Sequence, residues 1–111
     1  MSTISKPLIT SKYASNAENT EYTASAGMRT ILDKFTGYNG TAGAVTLTVK
    51  IVASGGTAGA SNVTVSKSIA AGETYTFPEV VGHVLEASGF VSVLASAATS
   101  IVIRCSGREV T

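Results

Sequence analysis

Residues 44–54 read Ala-Val-Thr-Leu-Thr-Val-Lys-Ile-Val-Ala-Ser. Val45, Leu47, Val49, Ile51 and Ala53 fall on one parity, and Thr46, Thr48, Lys50, Val52 and Ser54 on the other. A period of two sustained over this length describes a strand with one face on a core and the other toward water or a partner. The glycine-rich run 55–62 breaks the pattern, residues 62–69 resume it, and Ala70-Ala-Gly-Glu73 fits a tight turn with Gly72 at positive φ. Residues 74–78 then run extended, with Tyr75 and Phe77 facing inward and Pro78 ending the strand. Strand, loop, strand, turn, strand fixes the class as antiparallel β.

The rest of the chain fits that class. Residues 20–24 are a short strand candidate, and residues 28–39 a longer one. In the longer strand Ile31 and Phe35 share a parity that Leu32 does not, which calls for a bulge or two-sided burial. Asn39-Gly40 is a strong hairpin signal. Residues 79–87 suit either a short helix or another strand, with Gly82 limiting a helix to a turn or two. Residues 91–96 and 100–106 are expected to form a terminal hairpin across 97–99. About eight short strands at regular spacing imply an antiparallel β-sandwich, jelly-roll-like, over residues 20–111. Residues 1–19 differ. They are rich in Ser, Thr, Lys and Asn, hold Pro7, and keep no period, so they read as an extended N-terminal arm that needs a partner to order it, or as a frayed terminus.

With 111 residues, the chain is expected to be one domain with a feasible core. Charged residues make up 14% against a typical ~25%, and the net charge is +1. A surface made neutral by hydroxyls suits packing into an assembly. The eight cations are scattered among acids and there is no Trp, so the pattern argues against a nucleic-acid binder. No run reaches membrane-spanning length, and residues 1–11 lack the apolar stretch of a secretory signal, so a soluble chain synthesised in a reducing cytoplasm is expected.

Candidate chemistry fails on mechanism at each place it can be drawn. Gly55-Gly-Thr-Ala-Gly59 is followed by a strand, not a helix, and no Lys-Ser/Thr pair closes it, so it is a connection and not a phosphate loop. His83 is the only histidine; with Glu79 and Glu86 it makes a poor metal set, since zinc favours several His or Cys ligands. A serine triad would have to draw on Asp33, the sole aspartate. Cys105, the single cysteine, shares the parity of Ile101 and Ile103 and reads as a small buried hydrophobe. Asn39-Gly-Thr41 and Asn62-Val-Thr64 match the glycosylation pattern by chance in a Thr-rich chain. The expectation is no enzyme, no cofactor and no metal.

Residues 52–62 (Val-Ala-Ser-Gly-Gly-Thr-Ala-Gly-Ala-Ser-Asn) and 68–87 (Ser-Ile-Ala-Ala-Gly-Glu-Thr-Tyr-Thr-Phe-Pro-Glu-Val-Val-Gly-His-Val-Leu-Glu-Ala) resemble small β-sandwich virion proteins of tailed bacteriophages. Size and strand plan look most like the capsid decoration (cement or staple) proteins of epsilon15-like phages. Ser88-Gly-Phe90 departs from a Gly-Asp pair in similar chains. The resemblance implies a structural protein on the outer capsid surface of a virion, synthesised in the bacterial host cytoplasm. It would be a homodimer clamping subunits of the major capsid protein, without nucleic acid or membrane. The arm would then supply the contacts, with Leu8, Ile9 and Tyr13 as apolar anchors and Lys6 and Lys12 on acidic capsid groups. A neck, tail or fibre-attachment component is the alternative. A carbohydrate-binding module is the alternative of another class, with Tyr22, Tyr38, Tyr75 and Phe90 as its platform.

Overall fold

A computed structural model describes residues 2–111. They form nine strands: β1 (Thr3–Tyr13), β2 (Asn19–Thr23), β3 (Arg29–Asn39), β4 (Val45–Val52), β5 (Val63–Ile69), β6 (Thr74–Tyr75), β7 (Val84–Leu85), β8 (Phe90–Ala95) and β9 (Ile101–Val110). A single 3-10 turn, Ala60–Asn62, precedes β5. None of the described helical segments is long and apolar enough to cross a membrane.

The first sheet has the order β1-β9-β3-β6, with β7 also on β3, and the second has the order β2-β8-β4-β5. Every pairing is antiparallel. The pairs nest: β4 with β5, β3 with β6 and β7, β2 with β8, β1 with β9. The chain is one long ribbon folded over twice, which is the jelly-roll wrap. Period-2 patterning puts Leu47 and Val49 of β4, Val91 and Val93 of β8, and Ile101, Ile103 and Cys105 of β9 in the core. Phe35 and Phe77 meet edge to face there, with ring centroids 5.1 Å apart.

Several local expectations hold. The mixed parity of β3 is resolved by a bulge between Leu32 and Lys34, so that Leu32 and Phe35 both point inward. Gly72 sits at φ 75°, and the Glu73 amide donates to the Ala70 carbonyl. Residues 79–87 resolve as turns around the two-residue strand β7.

Others are overturned. The expected arm is a strand over most of its length: β1 pairs along β9 from Thr3–Val110 to Tyr13–Val102. Two register shifts, between Pro7 and Ile9 and between Ile9 and Lys12, erase the period that would have announced it. Pro7, which lacks an amide hydrogen, is tolerated because β1 is an edge strand. Asn39-Gly40 does not close a hairpin, since β3 and β4 lie in different sheets. Instead Asn39 is fully buried; its amide donates to the carbonyls of Gly43 and Ile69, and its Oδ1 accepts from the Thr41 amide and hydroxyl. The side chain holds the crossover together. Likewise β8 and β9 belong to different sheets, so residues 97–99 cross the sandwich and do not turn a hairpin.

Candidate assembly surface

β1 carries the five residues that the sequence singles out for partner binding. Ile9 is 3% exposed and sits in the core with Cys105 as its cross-strand neighbour. Leu8 is half-buried and packs on the same core. Lys6 Nζ lies 3.5 Å from Glu109 Oε1, and Lys12 Nζ lies 2.7 Å from Glu21 Oε1. Tyr13 alone of the five stands free in solvent, 53% exposed. The apolar anchoring expected of Leu8 and Ile9 is therefore spent inside the domain, and both lysines face acids of their own chain.

Those ion pairs close the side of the sandwich where β1 and β2 run beside each other. Tyr22 of β2 donates to Glu109 Oε2 at 2.7 Å and shares a hydrogen bond with Thr30 Oγ1 at 2.9 Å, while Lys6 reaches the other Glu109 oxygen. Residues from both sheets thus meet on one buried carboxylate. Burial, joined by the Glu109 charge and offset in part by Thr30, raises the Tyr22 pKa above its ordinary value. Further along, the segment between β1 and β2 lays Glu18 over the second sheet, where it meets buried Lys50 and Ser92. Burial opposes ionisation of Glu18, but its bonds to Lys50 and Ser92 prevail and hold its pKa below the usual carboxylate value.

β1 is also a guarded edge. Two bulges, Pro7, Lys6 and Lys12 are devices that blunt strand-to-strand pairing. The opposite edge of the second sheet, β5, is seven residues long with one lysine, Lys67, whose Nζ lies 4.9 Å from the Tyr75 ring centroid.

Beyond Glu18, the outer face of the second sheet is nearly free of charge. Thr46 pairs with Ser68, and Thr48 pairs with Ser66 on one side and Leu94 on the other. The Thr48 and Ser66 hydroxyls are 3.2 Å apart. Asn16, Thr46, Thr48, Leu94, Ala95 and Ser96 line a shallow hollow of about 220 Å³. A hydroxyl-lined face desolvates at lower cost than a charged one, and charge depletion marks the centre of protein interfaces. Sequence patterning placed these hydroxyls on the outer parity of β4. It could not show that β5 and β8 extend them into a continuous face.

Of the other candidate groups, His83 is exposed in a turn, and no cluster of three metal-ligating side chains occurs among the described residues. Cys105 is buried, and burial, with the Asp33 charge second, pushes its thiol up to about 12.

No protein-family model matches the chain, and no curated protein matches it in sequence. Among solved structures it is similar to the Bacillus endospore appendages, a family of disulfide-linked pili. The TM-score is 0.58 and the identity 17%, over 98% of this chain and 88% of that one. That likeness shows the fold. A second structure, of infectious bursal disease virus strain Gx, superposes at TM-score 0.42 with 11% identity, over 97% of this chain and 31% of that one, which is too distant to carry an argument.

Proposed function

We propose that the chain is a non-enzymatic structural protein of a tailed-phage virion, one that staples the capsid by binding the outer surface of major capsid subunits as a homodimer. The observation that supports this reading is the hydroxyl-lined outer face of the second sheet, built from β4, β5 and β8, whose one ion pair, Glu18 with Lys50, is satisfied within the chain. Such a face can be covered by a neighbour without stranding buried charges. Modest contacts suffice where dimers occupy local two-fold axes, because the second contact of each dimer benefits from high effective concentration.

The pili that share this fold are disulfide-linked. Here the single cysteine is buried on β9 with its thiol at about 12, so attachment rests on non-covalent contacts. Deleting residues 1–15 would not test binding, since it would strip β9 of one of its two neighbouring strands and the core of Ile9.

The test is to add the purified protein to undecorated shells of the phage that encodes it, and to locate bound density by cryo-electron microscopy. Density at local two-folds, lost in a folded Thr48→Asp/Ser66→Asp variant, is the expected result. Density confined to a neck or tail ring would favour the alternative position in the virion, and no density at all would remove the capsid reading.

A further inference from the structure

The overall charge of +1 conceals an uneven distribution. On the first sheet, Tyr13 of β1 and Tyr38 of β3 are both cross-strand partners of Val102 on β9. Partners across a ladder point to the same face. The neighbours of Val102, Ile101 and Ile103, are fully buried, so the row Tyr13–Val102–Tyr38 lies on the outer face. Tyr13 is 53% exposed and Tyr38 44%. Two strand spacings put their attachment points about 10 Å apart. The Tyr38 ring rests over Gly40, where an added Cβ would come within 3.2 Å of Cε2, so it lies against backbone and not free in solvent.

The next rung holds Arg104 opposite Thr36, with Arg104 Nη1 3.4 Å from Ser11 Oγ. The rung after that pairs Lys34 with Ser106. Among the described residues neither Arg104 nor Lys34 has a carboxylate at ion-pair distance, whereas Lys6, Lys12, Arg29, Lys50 and Arg108 all do. Two acid-free cations, two exposed tyrosines and a set of hydroxyls thus share one face, together with Arg108 and the Asp33 carboxylate that neutralises it, on the opposite side of the sandwich from the hydroxyl face.

We infer that the outer face of the first sheet binds an acidic polysaccharide chain, with Tyr13 and Tyr38 under sugar rings and Arg104 and Lys34 on its anionic groups. Charge complementarity sets the sign of the ligand. Ser11, Thr36 and Ser106 supply partners for sugar hydroxyls. A single-stranded nucleic acid fits less well, because it asks for a run of cations tracking each phosphate and this face has two without a carboxylate partner. The earlier platform of Tyr22, Tyr38, Tyr75 and Phe90 is replaced: Tyr22 is committed to Glu109, while Tyr75 and Phe90 are half-buried.

Isothermal titration of the intact protein with polyuronate oligosaccharides, sulfated dextran, neutral dextran and oligothymidylate tests this. Binding is expected for the acidic glycans, weakening with salt. It should fall about tenfold or more in Tyr13→Ala/Tyr38→Ala, as for the loss of anchor residues, and fall less in Arg104→Gln. It should persist in Thr48→Asp on the other face. Circular dichroism and thermal melts verify that the variants fold. The inference is overturned if neither acidic glycan binds, if the double tyrosine variant binds as well as the parent, or if oligothymidylate binds more tightly than both glycans. It is also overturned if the tyrosine changes alter self-association in sedimentation while leaving glycan binding untouched. Shell binding is measured separately, so failure here leaves the capsid reading standing.

Discussion

Ile4 and Ile9 lie on the same strand, five positions apart, and differ in burial alone: 49% against 3% exposed. Were residues 1–19 a loose arm, truncating either would be nearly silent. In the structure Ile9 is part of the core, packed with Cys105 across the ladder. Ile9→Ala removes three carbon groups, worth about 0.8 kcal/mol each in transfer, or roughly 2.4 kcal/mol in all. The unfilled cavity adds to this, giving about 3–4 kcal/mol within the observed range for such changes. Against a total stability on the order of 5–15 kcal/mol, that is a large fraction. At about 4 °C per kcal/mol for a domain near this size, Tm should fall by about 12 °C or more. Ile4→Ala should stay within about 0.5 kcal/mol. Urea unfolding of the parent and both variants, monitored by circular dichroism, measures the contrast. Equal, small effects from the two substitutions would show that β1 does not hold Ile9 in the core, and the edge-strand assignment would fall with it.

Three further outcomes follow from other parts of the structure. Gly107→Ala should destabilise by about 3 kcal/mol or more, the upper end of overpacking, because the new Cβ would clash with the Ile31 carbonyl oxygen, a backbone atom that cannot swing away; an unfolding midpoint matching the parent would contradict the close approach of β3 and β9. Glu18 has a folded-state pKa below 4.5, so its contribution to stability is complete above that value and is lost as pH falls through the lower folded pKa. Glu18→Gln should therefore flatten the acid limb of a stability-versus-pH curve below pH 4.5, and an unchanged limb in urea titrations would show that the Lys50–Ser92 contact carries no linkage. Cys105, with its thiol at about 12 and its side chain buried, should react with a thiol reagent only as the protein unfolds; stoichiometric labelling of the native protein within minutes would contradict its burial.

How far the fold is legible in the chain depends on what each segment's pattern reports. β9 and the first part of β4, Val45 to Val49, alternate cleanly because each strand lies between two neighbours, so the core face there can be named in advance; beyond the bulge at Val49 and Lys50 the expectation fails, with Val52 buried and Ala53 exposed. β1 is an edge whose two bulges let Ile9 turn inward, Lys12 reach across to Glu21 of β2 and Tyr13 stay on the outer face, and no single period describes it. Its strand character comes from β9, which follows it by some ninety residues and offers a long ladder. Asn39-Gly40 misled for a related reason. The dipeptide signals a reversal, but whether the chain returns in the same sheet or crosses to the other is set by the global wrap. The buried Asn39 amide, satisfying Gly43 and Ile69 carbonyls, is what the crossover needed. Leu8 and Ile9 looked like anchors for a partner because apolar residues in an apparently unstructured segment lack any other use. Once β1 pairs, the core claims them.

The candidate surfaces were less legible than the fold, because a face is a property of register and not of sequence distance. Tyr13, Val102 and Tyr38 lie far apart in the chain, yet two ladders align them in one row. Scattered cations that argue against any basic patch in the linear sequence sort themselves by pairing: five find carboxylates, Lys67 lies over the Tyr75 ring, and Arg104 and Lys34 remain on the face that carries Tyr13 and Tyr38. The consequence is directional. The two sheets of a sandwich stack about 10 Å apart with their outer faces turned opposite ways. A protein that docks by the neutral hydroxyl face of β4, β5 and β8 must therefore present the tyrosine and arginine face away from whatever it docks on. If the second sheet sits on a shell, the first sheet is what the surroundings of that shell meet, so stapling and glycan capture can operate together on one small domain. The reverse arrangement would put Arg104 and Lys34 into the protein interface without partners of their own chain, and would make shell binding steeply salt-dependent. Measuring shell binding across ionic strength thus reports the orientation: a flat response places the hydroxyl face inward, and a steep loss places the cations there.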